Sequence, residues 1–175
     1  VPDCTVEVLI PDLQGSDEGL REIVGAGPEI VNHNMETVER LQRKVRAKAR
    51  YERSLWVLRR AKEHNPTLRT KSGMMLGVGE EWDEVVQTMR DLRAIDVDIL
   101  TLGQYLRPSL THLAVERFVP PDEFASLKIV GLEMGFRHVE SGPLVRSSYH
   151  AHEQTAQPVA IPAPVVTMAV GASAE

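Results

Sequence analysis

The fold is decided by residues 70–102, which read TKSGMMLGVGEEWDEVVQTMRDLRAIDVDILTL. Residues 70–77, which carry the apolar residues 74–76, predict a strand. The helical spacing of apolar residues from Trp82 to Leu92 predicts an amphipathic helix, and residues 98–102 predict a second strand. The acidic residues before and in the first helical turn suit the helix dipole. A strand, a helix and a strand in this order form a right-handed unit whose two strands are parallel.

The same alternation extends in both directions from this segment. Further strands are predicted at 6–10, 30–34 and 136–140, and further helices around 20–24, 38–45, 51–61 and 121–134. The glycine-rich turn of dinucleotide-binding sheets is absent, because Gly25 and Gly27 lead into Pro28 rather than a helix. Between an open doubly wound α/β sheet and an arc of a parallel (β/α) barrel, we favour the barrel arc. Four or five strands cannot close a barrel, so such an arc leaves an edge for the complete protein to cover.

Composition excludes several classes of protein. The chain has 175 residues, 42% of them hydrophobic, with 25 acidic and 20 basic side chains. This is the composition of a globular domain, and we expect a cytoplasmic protein that binds neither membranes nor nucleic acid. The basic run at 40–53 is interpreted as a solvated helix surface rather than a phosphate-binding stripe.

A single cysteine, Cys4, restricts the metal chemistry. It excludes a disulfide scaffold, a thiolate zinc site and a complete cysteine-ligated iron–sulfur site made by this chain alone. We expect the first strand to extend back to Cys4, which indicates a buried apolar thiol. We expect one folded region over residues 1–154 and a flexible Ala/Pro-rich tail over 155–175. Because the chain opens on Val1, we also expect the natural polypeptide to begin further upstream.

Polar residues follow the predicted strands at their carboxyl ends, where parallel α/β folds collect functional groups. Asn32 and Asn34 share one face of a strand and Glu36 follows, an arrangement that could read the diol of a ribose. The alternative is that this segment caps the next helix. His33 has no partner at the spacing of a metal site. The turn from Gly77 to Glu80 is a candidate anion contact.

Other candidates also have a structural interpretation. Lys71 could be a surface residue at the start of its strand, and Met74 and Met75 could belong to the core. The polar residues at 146–150 could form a hydrogen-bonded turn with its packing. These residues, taken one at a time, indicate only a barrel fragment with a polar upper face.

Five peptides in order carry more information than any one of them. They are VEVLIPD (6–12), NHNMET (32–37), TKSGMMLG (70–77), LTLGQYL (100–106) and SGPLVRSSY (141–149). Together they closely resemble the lipoyl synthases, a family of radical S-adenosylmethionine enzymes, from the first residues to about residue 154. The Asn-x-Asn-x-acidic element alone is also shared with biotin synthases.

The resemblance implies a partial (β/α)6 barrel of the radical SAM type, of which this chain supplies the later strands and helices. It implies S-adenosylmethionine-dependent insertion of two sulfur atoms into protein-bound octanoyl chains. It further implies two 4Fe–4S clusters, one of them the sulfur donor. Implied partners are the lipoyl domains of 2-oxoacid dehydrogenases, glycine cleavage H protein, an electron donor and iron–sulfur carrier proteins.

The resemblance also implies roles for individual residues. Asn34 and Glu36 would bind the cofactor's ribose, and Ser147 would ligate one iron of the auxiliary cluster, with Ser148 in reserve. The resemblance implies that nine further positions bind the cofactor: Asn32, Lys71, Ser72, Gly73, Gly77, Gly79, Glu80, Gln104 and Tyr105. The roles of Lys71, Gln104 and Tyr105 are defined only loosely.

The chain departs from this family, because neither cysteine triad of the two clusters is present and the Ala/Pro-rich tail does not align with it. We therefore expect a C-terminal portion of such an enzyme that is inactive alone. Two alternatives remain: another radical SAM sulfurtransferase, such as a biotin synthase relative, and a non-catalytic α/β domain that binds a nucleoside or a partner protein.

Overall fold

The computed structural model describes residues 4–148, which form one five-stranded parallel sheet covered by helices. The predicted tail, 155–175, and Tyr149 lie outside the described residues. The strands are β1 (Glu7–Leu9), β2 (Ile30–Asn32), β3 (Arg69–Leu76), β4 (Ile99–Gln104) and β5 (His138–Gly142). The helices are α1 (Asp17–Gly25), α2 (Gln42–Val45), α3 (Tyr51–His64), α4 (Trp82–Ala94) and α5 (Pro121–Glu133).

The strand order decides between the two predicted architectures. The sheet runs β1-β2-β3-β4-β5, so every strand pairs in parallel with the next strand along the chain. A doubly wound sheet would reverse its order at a switch point, and no reversal occurs within residues 4–148. The predicted partial (β/α) barrel is therefore confirmed.

Local signals explain where the helices begin. The Ser16 side chain accepts a hydrogen bond from the Gly19 N–H at the start of α1. Glu81 and Glu84 form a capping box at the start of α4, and α5 begins at Pro121. The helix predicted over 38–45 is shorter than expected, because a 3-10 turn, Glu39–Leu41, precedes the single turn of α2.

The helices and the sheet bury two apolar clusters between them. The larger contains α4 residues such as Met89 and Leu92 packed with Leu100 and Leu102 of β4. The smaller contains Leu20 of α1 with residues of β2 and α3. Because side chains alternate along a strand, the opposite face of the sheet carries a different set of residues, among them Lys71 of β3 and Thr101 of β4, which are both buried.

One prediction about the core was wrong. Cys4 precedes β1 and is exposed, so it is not a buried thiol of the first strand. β1 begins only at Glu7, although the Val6 carbonyl oxygen already accepts from the Glu29 and Ile30 N–H groups. None of the helices within residues 4–148 has the length and apolar character needed to cross a membrane.

Candidate functional site

A cleft of about 190 Å³ lies at the carboxyl ends of the central strands, between the sheet and the segment that follows β5. Of the residues singled out from the sequence, the cleft brings together Asn34, Glu36, Gly73, Gln104 and Ser147. It also contains residues that sequence reasoning did not select as site residues: Met74, Met75, Thr101, Gly103, Leu106, Val145 and Arg146.

Asn34 and Glu36 are positioned by a break in the strand after β2. Glu36 has a φ of 69°, and its backbone bridges to β3 by donating to Gly73 O at 2.9 Å and accepting from the Met75 N–H at 2.8 Å. A positive φ is costly for a residue with a side chain, so these two bonds hold a conformation that the sequence disfavours. The capping alternative is wrong, since the next helical turn begins only at Glu39.

Within residues 4–148, the nitrogen of the Asn34 side-chain amide makes a hydrogen bond and its oxygen makes none. Its Nδ2 donates to Ser147 Oγ at 3.3 Å. Its Oδ1 is buried and has no hydrogen-bond partner within residues 4–148. A buried acceptor without a partner is costly, so this oxygen is suited to a donor on a ligand in the cleft.

Asn32 points to a different partner from Asn34. Its Nδ2 donates to Glu7 Oε1 at 2.8 Å, and the other oxygen of Glu7 lies 3.0 Å from Lys71 Nζ. Lys71 is completely buried and also donates to the Ser147 carbonyl oxygen. Burial lowers the pKa of Lys71, while the carboxylate of Glu7 acts in the opposite direction. The surface interpretation of Lys71 was therefore wrong: it links β1, β3 and the segment after β5.

Ser72, Gln104 and Tyr105 make their contacts within the protein. Ser72 Oγ accepts from the Met35 N–H at 3.1 Å. Gln104 Oε1 accepts from the Val119 N–H at 2.9 Å, and the Tyr105 hydroxyl donates to a loop carbonyl at 3.0 Å. Gln104 and Tyr105 thus anchor the loop between β4 and α5. Their predicted cofactor contacts, like that of Ser72, stay predictions.

Two glycines keep the cleft open. A Cβ added at Gly73 would lie 2.6 Å from Thr101 Oγ1 and 3.0 Å from Asn34 Oδ1. A Cβ at Gly103 would collide with the carbonyl of Val145, which approaches the sheet there. The missing side chains therefore let the segment after β5 lie close to the strands and leave space beside Asn34.

The turn after β3 is closed by its own carboxylate. Glu80 is buried and accepts from the N–H groups of Gly77 at 2.6 Å and Val78 at 3.0 Å. A ligand anion would have to displace this carboxylate to reach those two N–H groups. Gly77, Gly79 and Glu80 do not line the cleft in the described part of the chain, and their predicted role in cofactor binding stays a prediction.

His33 is a buried structural residue. Its Nδ1 lies 2.9 Å from Ile10 O and its Nε2 lies 2.9 Å from Ser54 Oγ. Burial lowers the pKa of His33 from its usual 6.5, so the neutral ring is favoured. Both ring nitrogens are thus engaged within the chain.

The two candidate serines differ in position. Ser147 is half-buried in the cleft, whereas Ser148 is exposed and does not line it. No group of three or more histidine, cysteine or acidic side chains able to hold a metal occurs within residues 4–148. Cys4 lies before the amino end of β1, away from the carboxyl ends where Ser147 is placed.

Comparison with known proteins gives a consistent result. The sequence profile of the radical SAM superfamily matches residues 2–92, about half of the chain. The chain is 60% identical over 161 residues to a lipoyl synthase of Koribacter versatilis, covering 90% of this chain and 53% of that one. It is 60% identical over 155 residues to a lipoyl synthase of Rubrobacter xylanophilus, covering 89% of this chain and 48% of that one. The predicted resemblance to the lipoyl synthases is confirmed.

The chain spans about half the length of the curated relatives it matches. Among solved structures, a crystal structure of methylornithine synthase matches with a TM-score of 0.48 and 17% identity, covering 75% of this chain and 46% of that one.

Proposed function

This chain belongs to the radical SAM superfamily, and we propose that it is the C-terminal portion of a lipoyl synthase, whose cleft binds S-adenosylmethionine beside a protein-bound octanoyl chain. The observation that carries the proposal is the convergence of Asn34, Glu36 and Ser147 on one cleft. These residues come from the ends of two strands that are not neighbours in the sheet.

The residues of the cleft fit S-adenosylmethionine. The unpartnered Oδ1 of Asn34 and the half-buried carboxylate of Glu36 are acceptors for the hydroxyls and the ammonium group of that cofactor. The absent side chain of Gly73 leaves room beside Asn34. The side chain of Met75 offers an adaptable apolar surface to the ligand.

The residues of this chain do not by themselves fit an iron–sulfur cluster. The lone cysteine is exposed and distant from the cleft in the topology, so this chain offers only an oxygen ligand, Ser147 Oγ. In a complete enzyme the clusters and S-adenosylmethionine would supply the radical chemistry and the sulfur. The chain's own residues would bind and orient the cofactor and the acyl chain and exclude water from them.

The substrates that we propose are octanoylated lipoyl domains of 2-oxoacid dehydrogenases and glycine cleavage H protein. An electron donor and iron–sulfur carrier proteins would serve the complete enzyme. We propose a cytoplasmic location, where such carriers are found, and we propose no role for nucleic acid or membranes.

A chimera tests this function. Residues 1–175 replace the matching region of the Koribacter versatilis relative, and the purified protein is reconstituted with iron and sulfide. We expect it to convert an octanoylated lipoyl domain to the lipoylated form, measured by mass spectrometry. Asn34→Ala is expected to weaken S-adenosylmethionine binding. Ser147→Ala is expected to loosen the auxiliary cluster and spare the radical cluster, and exposed Ser148→Ala serves as its matched control.

Two outcomes would contradict the proposal. One is a folded chimera that binds clusters but leaves the octanoyl chain unchanged. The other is equal S-adenosylmethionine affinity in the chimera and its Asn34→Ala variant, because the unpartnered amide oxygen would then play no part in binding.

A further inference from the structure

The segment 40–50 concentrates positive charge in an otherwise acidic chain. It contains six basic residues and no acidic one, although the chain as a whole has a net charge of -5. These residues lie in the turn before α2, in α2 and in the irregular stretch that leads to α3. Such a run raises the local positive potential.

Three of the six basic side chains attach this segment to the rest of the fold by ion pairs or a hydrogen bond. Arg40 pairs with Glu84 of α4 at 2.7 Å, and Lys44 pairs with Glu116 of the loop before α5 at 3.3 Å. Arg46 donates to the carbonyl oxygen of Asn34 at 2.9 Å. Because Asn34 lines the cleft, this last bond attaches the basic segment to the β2 side of the cleft, while Arg43, Lys48 and Arg50 line a separate surface depression.

The other three cations are not used by the fold. Arg43, Lys48 and Arg50 are exposed, and their side chains make no ion pair or hydrogen bond within residues 4–148. We call these three residues the basic rim. Neighbouring unpaired cations repel one another slightly and give no stability in return, so the basic rim is better suited to a partner than to the fold.

We propose that the basic rim is a docking surface for an acidic face of the carrier protein that presents the acyl chain. This rests on the proposed function, because a substrate attached to a protein must enter the cleft while the carrier remains outside its mouth. Unpaired cations at that position attract carboxylates and orient the encounter. Exposed Glu39 and Glu52 flank the rim and would repel a continuous phosphate backbone, which disfavours nucleic acid.

The test measures binding of the 175-residue chain to a purified acidic lipoyl domain of a 2-oxoacid dehydrogenase, with and without its octanoyl group. The rim variant combines Arg43→Gln, Lys48→Gln and Arg50→Gln. The control combines Arg21→Gln, Arg59→Gln and Arg90→Gln, which are exposed residues of α1, α3 and α4 and change the charge equally. Thermal melts establish that both variants remain folded.

We expect the rim variant to bind about threefold to tenfold more weakly than wild type and to lose most of the salt dependence of binding. The control should stay within about twofold of wild type. Docking should persist without the octanoyl group, since the rim contacts the carrier and not the acyl chain.

Equal weakening by the rim and control variants would overturn the proposal, because binding would then follow net charge alone. Absence of wild-type binding, or preference for a single-stranded DNA probe over the lipoyl domain, would also overturn it. An active chimera whose rim variant binds normally would refute the docking surface and leave the proposed function standing.

Discussion

Replacement of Lys71 by methionine tests how the segment after β5 is held on the sheet. The wild-type ammonium group is completely buried, lies 3.0 Å from Glu7 Oε2 and donates to the Ser147 carbonyl oxygen. Methionine has a similar length but no charge and no donor. The variant Lys71→Met therefore leaves the carboxylate of Glu7 and the Ser147 carbonyl without this partner.

The size of the effect follows from burial. Removing one member of a buried ion pair costs about 3–5 kcal/mol. The side chain of Glu7 is 21% exposed, so water recovers part of that loss. The wild-type protein also bears the cost of burying the ammonium, which the variant is spared. We therefore expect the free energy of unfolding to fall by about 2–3 kcal/mol.

Two measurements check this prediction. Urea denaturation gives the free energy of unfolding. Hydrogen exchange of the variant, compared with wild type, should accelerate more in residues 143–148 than in β3. The double variant Glu7→Gln, Lys71→Met removes the uncompensated charge, so it should be more stable than the sum of the two single changes by about 1 kcal/mol. A loss below about 0.5 kcal/mol for Lys71→Met, or additive single changes, would refute the reasoning.

Three further predictions concern the cleft and its supports. Gly73→Ala should lower the free energy of unfolding by about 1–3 kcal/mol in urea denaturation, because its Cβ would lie 2.6 Å from Thr101 Oγ1, and adding Thr101→Ala should recover part of the loss. Glu80→Gln should cost about 1–2 kcal/mol by the same assay, since the amide replaces one of the two accepting oxygens with an NH2 donor, whereas exposed Asp83→Asn should be nearly neutral. Burial lowers the pKa of His33 below its usual 6.5, so the unfolded chain binds more protons than the folded one as the pH drops below that value. The free energy of unfolding should therefore decrease as the pH is lowered from 6.5 towards the folded pKa. Thermal melts of His33→Gln should show a smaller fall, and an unchanged pH slope would contradict this.

Most of the fold follows from local pattern. The apolar period of 82–92 predicted α4, the segment 70–77 with its apolar residues 74–76 predicted β3, and their alternation predicted parallel pairing. These features depend on residues close together in the chain, so a sequence carries them directly. The ends of the predicted elements shifted by a few residues, because hydrogen bonds to neighbouring strands determine where a strand stops.

The candidate site was only partly predictable. The strand predicted over 30–34 ends at Asn32, so Asn34 lies beyond β2, and only Asn34 lines the cleft because Glu7 from β1 engages the Asn32 amide. Thr101 was missed since an interior threonine has no distinctive pattern in a sequence. Lys71 looked like a surface residue because lysine is rarely buried without a partner.

The sequence by itself determined the alternation of strands and helices, the resemblance to a family and the missing cysteine ligands. Only the tertiary structure decided which polar residues meet: Asn34 with Ser147, 113 residues apart, and Lys71 with Glu7, 64 residues apart. The physical reason is that periodicity reports which face a side chain occupies. Strand order, register and the path of the segment after β5 determine which faces come together.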